Sequence, residues 1–267
     1  MAADAMVGHI GSLVVRRLPP LLLLVAIGLV WEAAKLGGLL PITVPAPGAV
    51  WTALIDHGGD LVYHSIATLG AALTGYVAAI AVAAALAGLA VTWPISERPV
   101  FTLAILIDSL PLIAVAPILM LWLGNGTTLH VIVAAGAALF PLLVGMIQGF
   151  KSTDSTTREL FHVLSASRWQ TLTRLMLPNA LPAIFSALKV AAPLALLGTL
   201  IAEWMGTDRG LGTLIIYALF SFNVPLVWLS ILTVCALTAV SYALLAFAEH
   251  RLVDWAHPRG TTGGRST

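Results

Sequence analysis

Long apolar runs separated by short polar segments dominate the chain. A helix that crosses a bilayer needs about 20 mostly apolar residues, and six stretches meet that requirement. They lie at residues 18–36, 65–92, 100–123, 128–149, 183–205 and 226–248. Alternation with a period of two is absent, and lipid requires the backbone groups to be paired within the protein. The pattern therefore predicts an all-α polytopic membrane protein with about six transmembrane helices.

The composition agrees with a lipid environment. Hydrophobic residues make up 59% of the 267 residues and charged residues only 9%, whereas a soluble domain carries about 25% charged residues. So few charges cannot cover the surface of a soluble globule, and the bilayer is expected to surround most of the chain. The formal net charge of +1 provides no basic field for nucleic acid, so nucleic acid is not an expected partner.

The basic residues are distributed unevenly between the two sides of the predicted helices. Of the 13 lysines and arginines, a six-helix arrangement places only Lys35 and Arg209 on one side. The other side, or its membrane edge, carries Arg16, Arg17, Arg98, Lys151, Arg158, Arg168, Arg174, Lys189, Arg251, Arg259 and Arg265. Because basic residues favour the cytoplasmic side, both termini and the segment 151–182 are predicted to be cytoplasmic.

This orientation divides the chain into three parts. Residues 1–17 are predicted to form a cytoplasmic N-terminal segment, residues 18–255 the transmembrane domain, and residues 256–267 a flexible cytoplasmic tail. On the outer side, Pro47 suits the first position of a helix. The position of Pro47 therefore predicts an extended segment followed by a short helix around residues 47–56. A further short helix is predicted between Gly206 and Pro225.

The segment 151–182 is the longest polar interruption and is predicted to form a helix–turn–helix. Thr156 and Glu159 have the S/T-x-x-E spacing of a capping box, which predicts a helix from about residue 157 to 164. Small residues at 165–167 suit a tight turn, and Ser167 is placed to cap a second helix.

The second helix of this segment is predicted to be amphipathic. Its apolar face comprises Trp169, Leu172, Leu175 and Met176, which recur at helical spacing. Two prolines, Pro178 and Pro182, are expected to stop it and lead into the fifth span. The pattern alone fits two interpretations: a docking element for a partner, or an amphipathic helix resting in the lipid headgroups without a partner.

The same segment resembles the EAA loop of ABC importer permeases. The resemblance rests on the run from Glu159 to Leu172, followed by the run from Leu177 to Pro182, and covers about residues 20–255 in all. Further segments are similar to the aliphatic sulfonate, taurine, nitrate and thiamine-precursor branch of that family: Leu110-Pro111, Ala116-Pro117, Trp122-Leu123-Gly124-Asn125-Gly126, Ala202-Glu203 and Arg209-Gly210-Leu211-Gly212.

The segment departs from the family pattern at two places. Leu160 and Phe161 replace a pair of alanines, and the bulkier side chains would repack the first helix against its partner. Ser165 replaces the usual glycine. If the turn requires a positive φ, glycine would be favoured there.

The resemblance implies a type I importer permease in a bacterial inner membrane. The expected partners are a dimer of ABC ATPase subunits, a second permease copy in a homodimer, and a substrate-binding protein that delivers a small organic anion or vitamin precursor. The contact with the ATPase is expected to involve Glu159, Ser165, Ala166, Ser167, Arg168 and Trp169. Two roles are open for Arg168: it could pair with an acidic rim of the ATPase, or it could simply anchor the segment on the cytoplasmic side.

The chain carries no nucleotide-binding motif of its own. No G-x-x-x-x-G-K-[S/T] loop occurs, so the phosphate-binding chemistry is expected on another subunit. ATP and Mg²⁺ would be bound by the partner ATPase, with no cofactor in this chain. The seven histidines are scattered and predict no metal site, and no catalytic residues are assigned.

Candidate residues of the translocation route lie within the predicted spans, where charge is costly and prolines bend helices. Asp108 in the third span is the clearest of them, as a pathway residue or as a structural partner of Lys189. Glu203 is a candidate for an outer gate or for an ion pair with Arg209. The remaining candidates are Ser109, Pro111 and Pro117.

Two other classes of function remain open on the residues alone. An autonomous secondary transporter or channel would use the segment 151–182 only as an amphipathic belt. An intramembrane enzyme would use Asp108 and Glu203 as acid–base groups. Association with an ATPase distinguishes the transport subunit from both.

Overall fold

The computed structural model describes residues 22–253 with the exception of Leu24. The predicted N-terminal segment 1–17 and tail 256–267 lie outside the described residues, and the predicted first span 18–36 lies partly outside them. The described residues form helices joined by turns, without a strand. The helices are α1 (25–36), α2 (Pro47–Thr92), α3 (Pro94–Asp108), α4 (Leu112–Leu123), α5 (Thr127–Lys151), α6 (Ser155–Val163), α7 (Arg168–Thr171), α8 (Leu177–Glu203), α9 (Leu211–Phe220) and α10 (Val224–Leu252).

Within the described residues, four helical segments are long and apolar enough to cross a membrane. They are α2, α5, the segment Arg168–Glu203 that contains α7 and α8, and α10. A fifth candidate is the pair α3 and α4, which is bent by 92°. The all-α polytopic fold predicted from the hydrophobic runs is confirmed, and α9 provides the short helix expected between Gly206 and Pro225.

Helix α2 differs from its prediction because it is a single helix of 46 residues. The separate short helix expected around residues 47–56 does not form. Pro47 does occupy the start of the helix, but no later proline interrupts it before Pro94. At 1.5 Å per residue α2 is about 69 Å long, which exceeds the roughly 30 Å hydrocarbon core. It therefore tilts or extends beyond the membrane.

The predicted span 100–123 is also wrong as a continuous helix. Helix α3 ends at Asp108, and Pro111 precedes the first residue of α4. Proline lacks an N–H and disfavours helical geometry in the residue before it, which explains the break at 109–111. Broken helices in membranes are tolerated where they line a cavity or pack against protein.

Helix α5 lies between α2 and α8, and small residues allow the close approach. A methyl group added to Gly75 of α2 would come within 2.6 Å of the Cβ of Ala134 in α5. One added to Gly198 of α8 would come within 2.8 Å of the carbonyl oxygen of Val133. Close backbone packing of this kind is a main source of helix association in lipid, where the hydrophobic effect does not act between helices.

The bundle has two ends. The loop end contains α6, α7 and the C-terminus of α2. The α9 end contains α9 and the N-terminus of α5. An apolar cluster between α2, α3, α5 and α8 includes Leu172 and Met176 next to α7. A second cluster joins the start of α2 to α9 and α10.

Candidate functional site

The polar segment between α5 and α8 folds into a helix–turn–helix at the loop end. Helix α6 begins after Asp154, whose Oδ2 accepts a hydrogen bond of 3.2 Å from the backbone N–H of Thr157. The cap is therefore Asp154, and the predicted capping box of Thr156 and Glu159 is wrong. Asp, Ser and Thr all serve as N-caps, so the sequence 152–156 offered several alternatives.

The turn after α6 uses a serine in left-handed geometry. Ser165 has φ +56°, and its N–H donates to the carbonyl of His162 at 3.0 Å. The N–H of Ala166 donates to the carbonyl of Phe161, also at 3.0 Å. These two bonds form a Schellman motif, which satisfies the last carbonyls of a helix. Replacement of the usual glycine by Ser165 therefore leaves the turn intact, although it carries the strain of a side chain at positive φ.

Ser167 starts the second helix as predicted. Its Oγ accepts from the N–H of Gln170 at 3.2 Å, and the side-chain oxygen of Gln170 accepts from the N–H of Ser167 at 2.8 Å. This reciprocal pair is a capping box. Together with the Schellman motif, it fixes the residues of the turn from both sides.

The predicted stop at Pro178 and Pro182 is wrong. Helix α7 continues through a π-helical turn, Leu172–Met176, directly into α8. In an α-helix a proline ring clashes with the carbonyl four residues earlier. In the wider π turn, the N–H of Leu177 instead donates to the carbonyl of Leu172, five residues earlier. The turn and the span are thereby joined without a loop.

Three side chains attach the second helix to the bundle. Leu172, Leu175 and Met176 are buried, as the amphipathic pattern predicted. Trp169, which was predicted on the same apolar face, is instead 70% exposed. It lies in the first turn of α7, beyond the packed surface of the spans, so its ring has no core to enter.

Arg168 is bound to the permease bundle itself. Its Nη1 donates to the carbonyl oxygen of Thr92 at 2.8 Å, at the C-terminus of α2, where a cation is favoured by the helix dipole. In this structure Arg168 therefore anchors the turn to α2, which favours the anchoring alternative over pairing with an acidic rim. Lys151 and Glu97 form a further ion pair between α5 and α3 at the same end.

The helix–turn–helix exposes several large apolar side chains. Leu160 is 55% exposed, Val163 78% and Leu164 67%. With Trp169 these residues form what is called here the apolar patch. Contiguous exposed apolar surface at the polar end of a protein typically marks an interaction site. The other predicted loop residues, Glu159, Ser165 and Ser167, are also exposed, and Ala166 is half-buried.

The predicted route residues separate into two groups. Asp108, Ser109 and Pro111 meet at the break between α3 and α4 and are exposed, as is Pro117 in α4. The proposed pairing of Asp108 with Lys189 is wrong. Lys189 Nζ lies 2.6 Å from Oε2 of Glu249 in α10, and both side chains are largely buried. This pair was not predicted from the sequence, because its residues are 60 positions apart.

Glu203 lies at the α9 end and is 1% exposed. Its Oε1 accepts from the hydroxyl of Thr68 in α2 at 2.7 Å, and its Oε2 accepts from the N–H of Gly212 at 2.7 Å. The Thr68 hydroxyl in turn accepts from the N–H of Leu211 at 2.8 Å. These bonds replace the expected ion pair with Arg209 and favour a structural role over a gate.

Comparison with known proteins identifies the fold. The family described as binding-protein-dependent transport system inner membrane component matches residues 79–254. The chain belongs to this family. The chain is 31% identical over 240 residues to the formylaminopyrimidine transport permease protein of Halalkalibacterium halodurans. The aligned region covers 89% of this chain and 96% of that relative.

Two other relatives match at similar length. The riboflavin transport system permease protein of Chloroflexus aurantiacus is 32% identical over 230 residues, covering 84% of this chain and 85% of the relative. The taurine transport system permease protein of Escherichia coli is 28% identical over 236 residues, covering 84% of each. The permease is therefore a multi-pass membrane component of the type I ABC importer fold, in the branch that the sequence segments indicated.

Proposed function

We propose that this permease forms the translocation pathway of an ABC importer as a homodimer, and that a separate ATPase docks on the apolar patch. The observation that carries the proposal is a rigid, exposed apolar patch on a helix–turn–helix that continues into a membrane span. Leu160, Val163, Leu164 and Trp169 are all more than half exposed. A surface of this kind suits a groove on a partner protein, where a few apolar and aromatic anchors dominate binding.

The connection to the span supports transmission of movement. From Arg168 to Glu203 the chain is helical without a break in 36 residues, and Arg168 is bonded to the C-terminus of α2. A displacement of the turn would therefore be carried directly to α8 and α2. Coupling between two sites requires such a physically continuous element with two arrangements.

ATP hydrolysis is assigned to the partner. The chain has no G-x-x-x-x-G-K-[S/T] sequence, which is the loop that holds the phosphates in such ATPases. ATP and Mg²⁺ would be bound by two ATPase subunits, and the permease would perform no catalysis. The distribution of basic residues supports a cytoplasmic position for the loop end and for both termini.

The proposed solute is a small organic anion or a vitamin precursor. Relatives are named for the transport of formylaminopyrimidine, riboflavin and taurine. A substrate-binding protein on the outer side would deliver the solute, so the permease itself need bind it only weakly. Asp108, Ser109, Pro111 and Pro117 are proposed to border the route, because a broken helix with an exposed acid inside a membrane is tolerated mainly beside a water-filled passage.

The test of this proposal is association with the ATPase. The permease, tagged and expressed in its native bacterium, should copurify with a protein that carries a phosphate-binding loop. Val163→Asp should abolish that copurification, because it places a charge in the centre of the apolar patch. Val163 is 78% exposed, so the variant should insert and fold normally.

Ser155→Asp is the matched control. It adds the same charge at the first residue of α6, where an acid is favoured by the helix dipole, at the other end of the helix from Val163. This variant should retain the ATPase. Normal copurification of both variants would rule out the apolar patch as the docking site.

A further inference from the structure

A cavity of about 570 Å³ lies at the α9 end of the permease. Its walls are formed by α2 between Tyr63 and Thr74, by the start of α5, and by the segment that joins α8 to α9. The volume is within the range of about 300–1,000 Å³ that small-molecule sites occupy. None of the predicted route residues Asp108, Ser109, Pro111, Pro117 or Glu203 lines it.

Two contacts lie at the sides of the cavity. Helices α2 and α5 touch at Gly75 and Ala134, and the cavity occupies the space between them beyond that contact. Its other side is closed by a hydrogen bond of 2.8 Å from Asn125 Nδ2 to the carbonyl of Gly206. The cavity is thus bordered by a helix–helix contact on one side and by this hydrogen bond on the other.

Hydrogen-bond donors face the cavity from the start of α5. The N-terminus of α5 opens onto it, with Gly126 as an N-cap that provides no side-chain acceptor. The first amides of a helix lack internal partners and carry a partial positive charge. His130 also lines the cavity. Its side chain is 8% exposed, and its Nε2 is a buried atom without a hydrogen-bond partner.

The rim carries one charge of each sign. Arg209 and Asp208 are adjacent, exposed and both part of the lining. The guanidinium attracts an anion, and the carboxylate opposes the accumulation of negative charge. A solute with a single negative charge, whether or not it also carries a cationic group, fits this balance better than a dianion does. The apolar side chains Ile66 and Ala67 offer surface to the carbon part of the solute.

We propose that this cavity is a binding site for a small monoanionic organic solute, held at the N-terminus of α5 by backbone amides, His130 and Arg209. The proposal rests on the proposed function, because it assigns the cavity to the solute that the importer receives on its outer side. The α9 end lies opposite the loop end, so in the proposed orientation it is the end at which a solute would arrive.

The test measures binding to the full-length permease in lipid nanodiscs without ATPase or binding protein. The histidines are labelled with ¹⁵N, and His130→Gln identifies the resonances of His130 among the seven histidines. Ethanesulfonate and propionate serve as monoanionic probes. Ethyl methyl sulfone serves as an uncharged probe of similar size. Both anions should shift the His130 resonances in a saturable manner, and the sulfone should bind about tenfold more weakly or worse.

Exposed residues provide variants that keep the fold. Arg209→Gln should weaken binding of both anions about fivefold to tenfold. Arg174→Gln, an exposed arginine at the loop end, should leave it unchanged. Absence of a saturable shift with both anions would overturn the proposal, as would equal binding of the sulfone. Since no ATPase is present, such a failure is separate from the copurification test of the proposed function.

Discussion

At the scale of single residues, Glu203 is the residue whose surroundings are most informative. A carboxylate at this depth is costly unless its oxygens are bonded, and here the partners are Thr68 and Gly212. The network joins α2, α8 and the first residues of α9. The hydrogen bonds of Glu203 therefore hold the start of α9 against the spans.

Truncation of this side chain should destabilise the protein. Glu203→Ala removes the acceptor of the Thr68 hydroxyl and leaves the Gly212 amide without a partner, which is expected to cost about 2–4 kcal/mol. Glu203→Gln retains one acceptor and should cost less. Asp60→Ala removes an exposed carboxylate of α2 and should change little. Thermal unfolding in detergent measures the order, and equal midpoints for Glu203→Ala and Asp60→Ala would contradict the role of the network.

Gly210 makes a second prediction at this scale. It has φ +144°, and a Cβ there would overlap the carboxyl group of Glu203. Gly206 has φ +95°, but a Cβ there would meet nothing within 4 Å. Gly210→Ala should therefore lower the unfolding midpoint clearly more than Gly206→Ala, which carries only the backbone strain. Equal losses in the two variants would show that the overlap is relieved.

The sequence singled out some of these residues but not their partners. Glu203 and Gly210 were recognisable as an acid within a span and as part of a glycine-containing segment. Thr68 was not, because its contact with Glu203 joins positions 135 residues apart. The left-handed turn at Ser165 was likewise hidden, since serine does not signal positive φ as glycine does.

At the scale of elements, the apolar runs of the sequence predict where the helices lie, whereas local interactions determine where each helix begins and ends. Helix α2 continues through residues 47–64 because no proline follows Pro47 until Pro94, and its early turns pack against α9 and α10. Pro111 breaks the third span, yet Pro178 and Pro182 do not break the fifth. A π turn precedes Pro178, and hydropathy and proline positions alone do not reveal it.

The ion pair between α8 and α10 provides the prediction at this scale. Lys189 was counted with the charges of the loop side, but it lies near the middle of α8 and pairs with Glu249. Lys189→Met leaves Glu249 unpaired in an apolar setting and should destabilise the protein by about 3–5 kcal/mol. The double variant Lys189→Met with Glu249→Leu should recover most of that loss. The unfolding midpoints of the two single variants and the double variant test this. Additive losses would mean that the pair does not join the two helices.

At the scale of the whole molecule, the orientation of the bundle determines which surface meets which partner. The preponderance of basic residues on one side remains after Lys189 is removed from the count. Both the docking of an ATPase at the loop end and the arrival of a solute at the α9 end depend on this orientation.

Labelling of single cysteines tests the orientation. The native Cys235 is first replaced by serine, and Ser155→Cys or Asp208→Cys is then introduced; both positions are exposed. In intact spheroplasts a membrane-impermeant maleimide should label the cysteine at 208 and not that at 155. Permeabilised cells should show labelling of both. The reverse pattern in intact spheroplasts would place the loop end outside and exclude a cytoplasmic ATPase as its partner.

The measurement that tests the central claim most directly is uptake, into proteoliposomes, of the solute that the substrate-binding protein carries. The liposomes contain the permease with its copurified ATPase, and the solute is supplied with its binding protein. Uptake should require internal ATP and should vanish when the phosphate-loop lysine of the ATPase is replaced, or in the permease variant Val163→Asp. Uptake by the permease alone, driven by an ion gradient without ATP, would contradict the account.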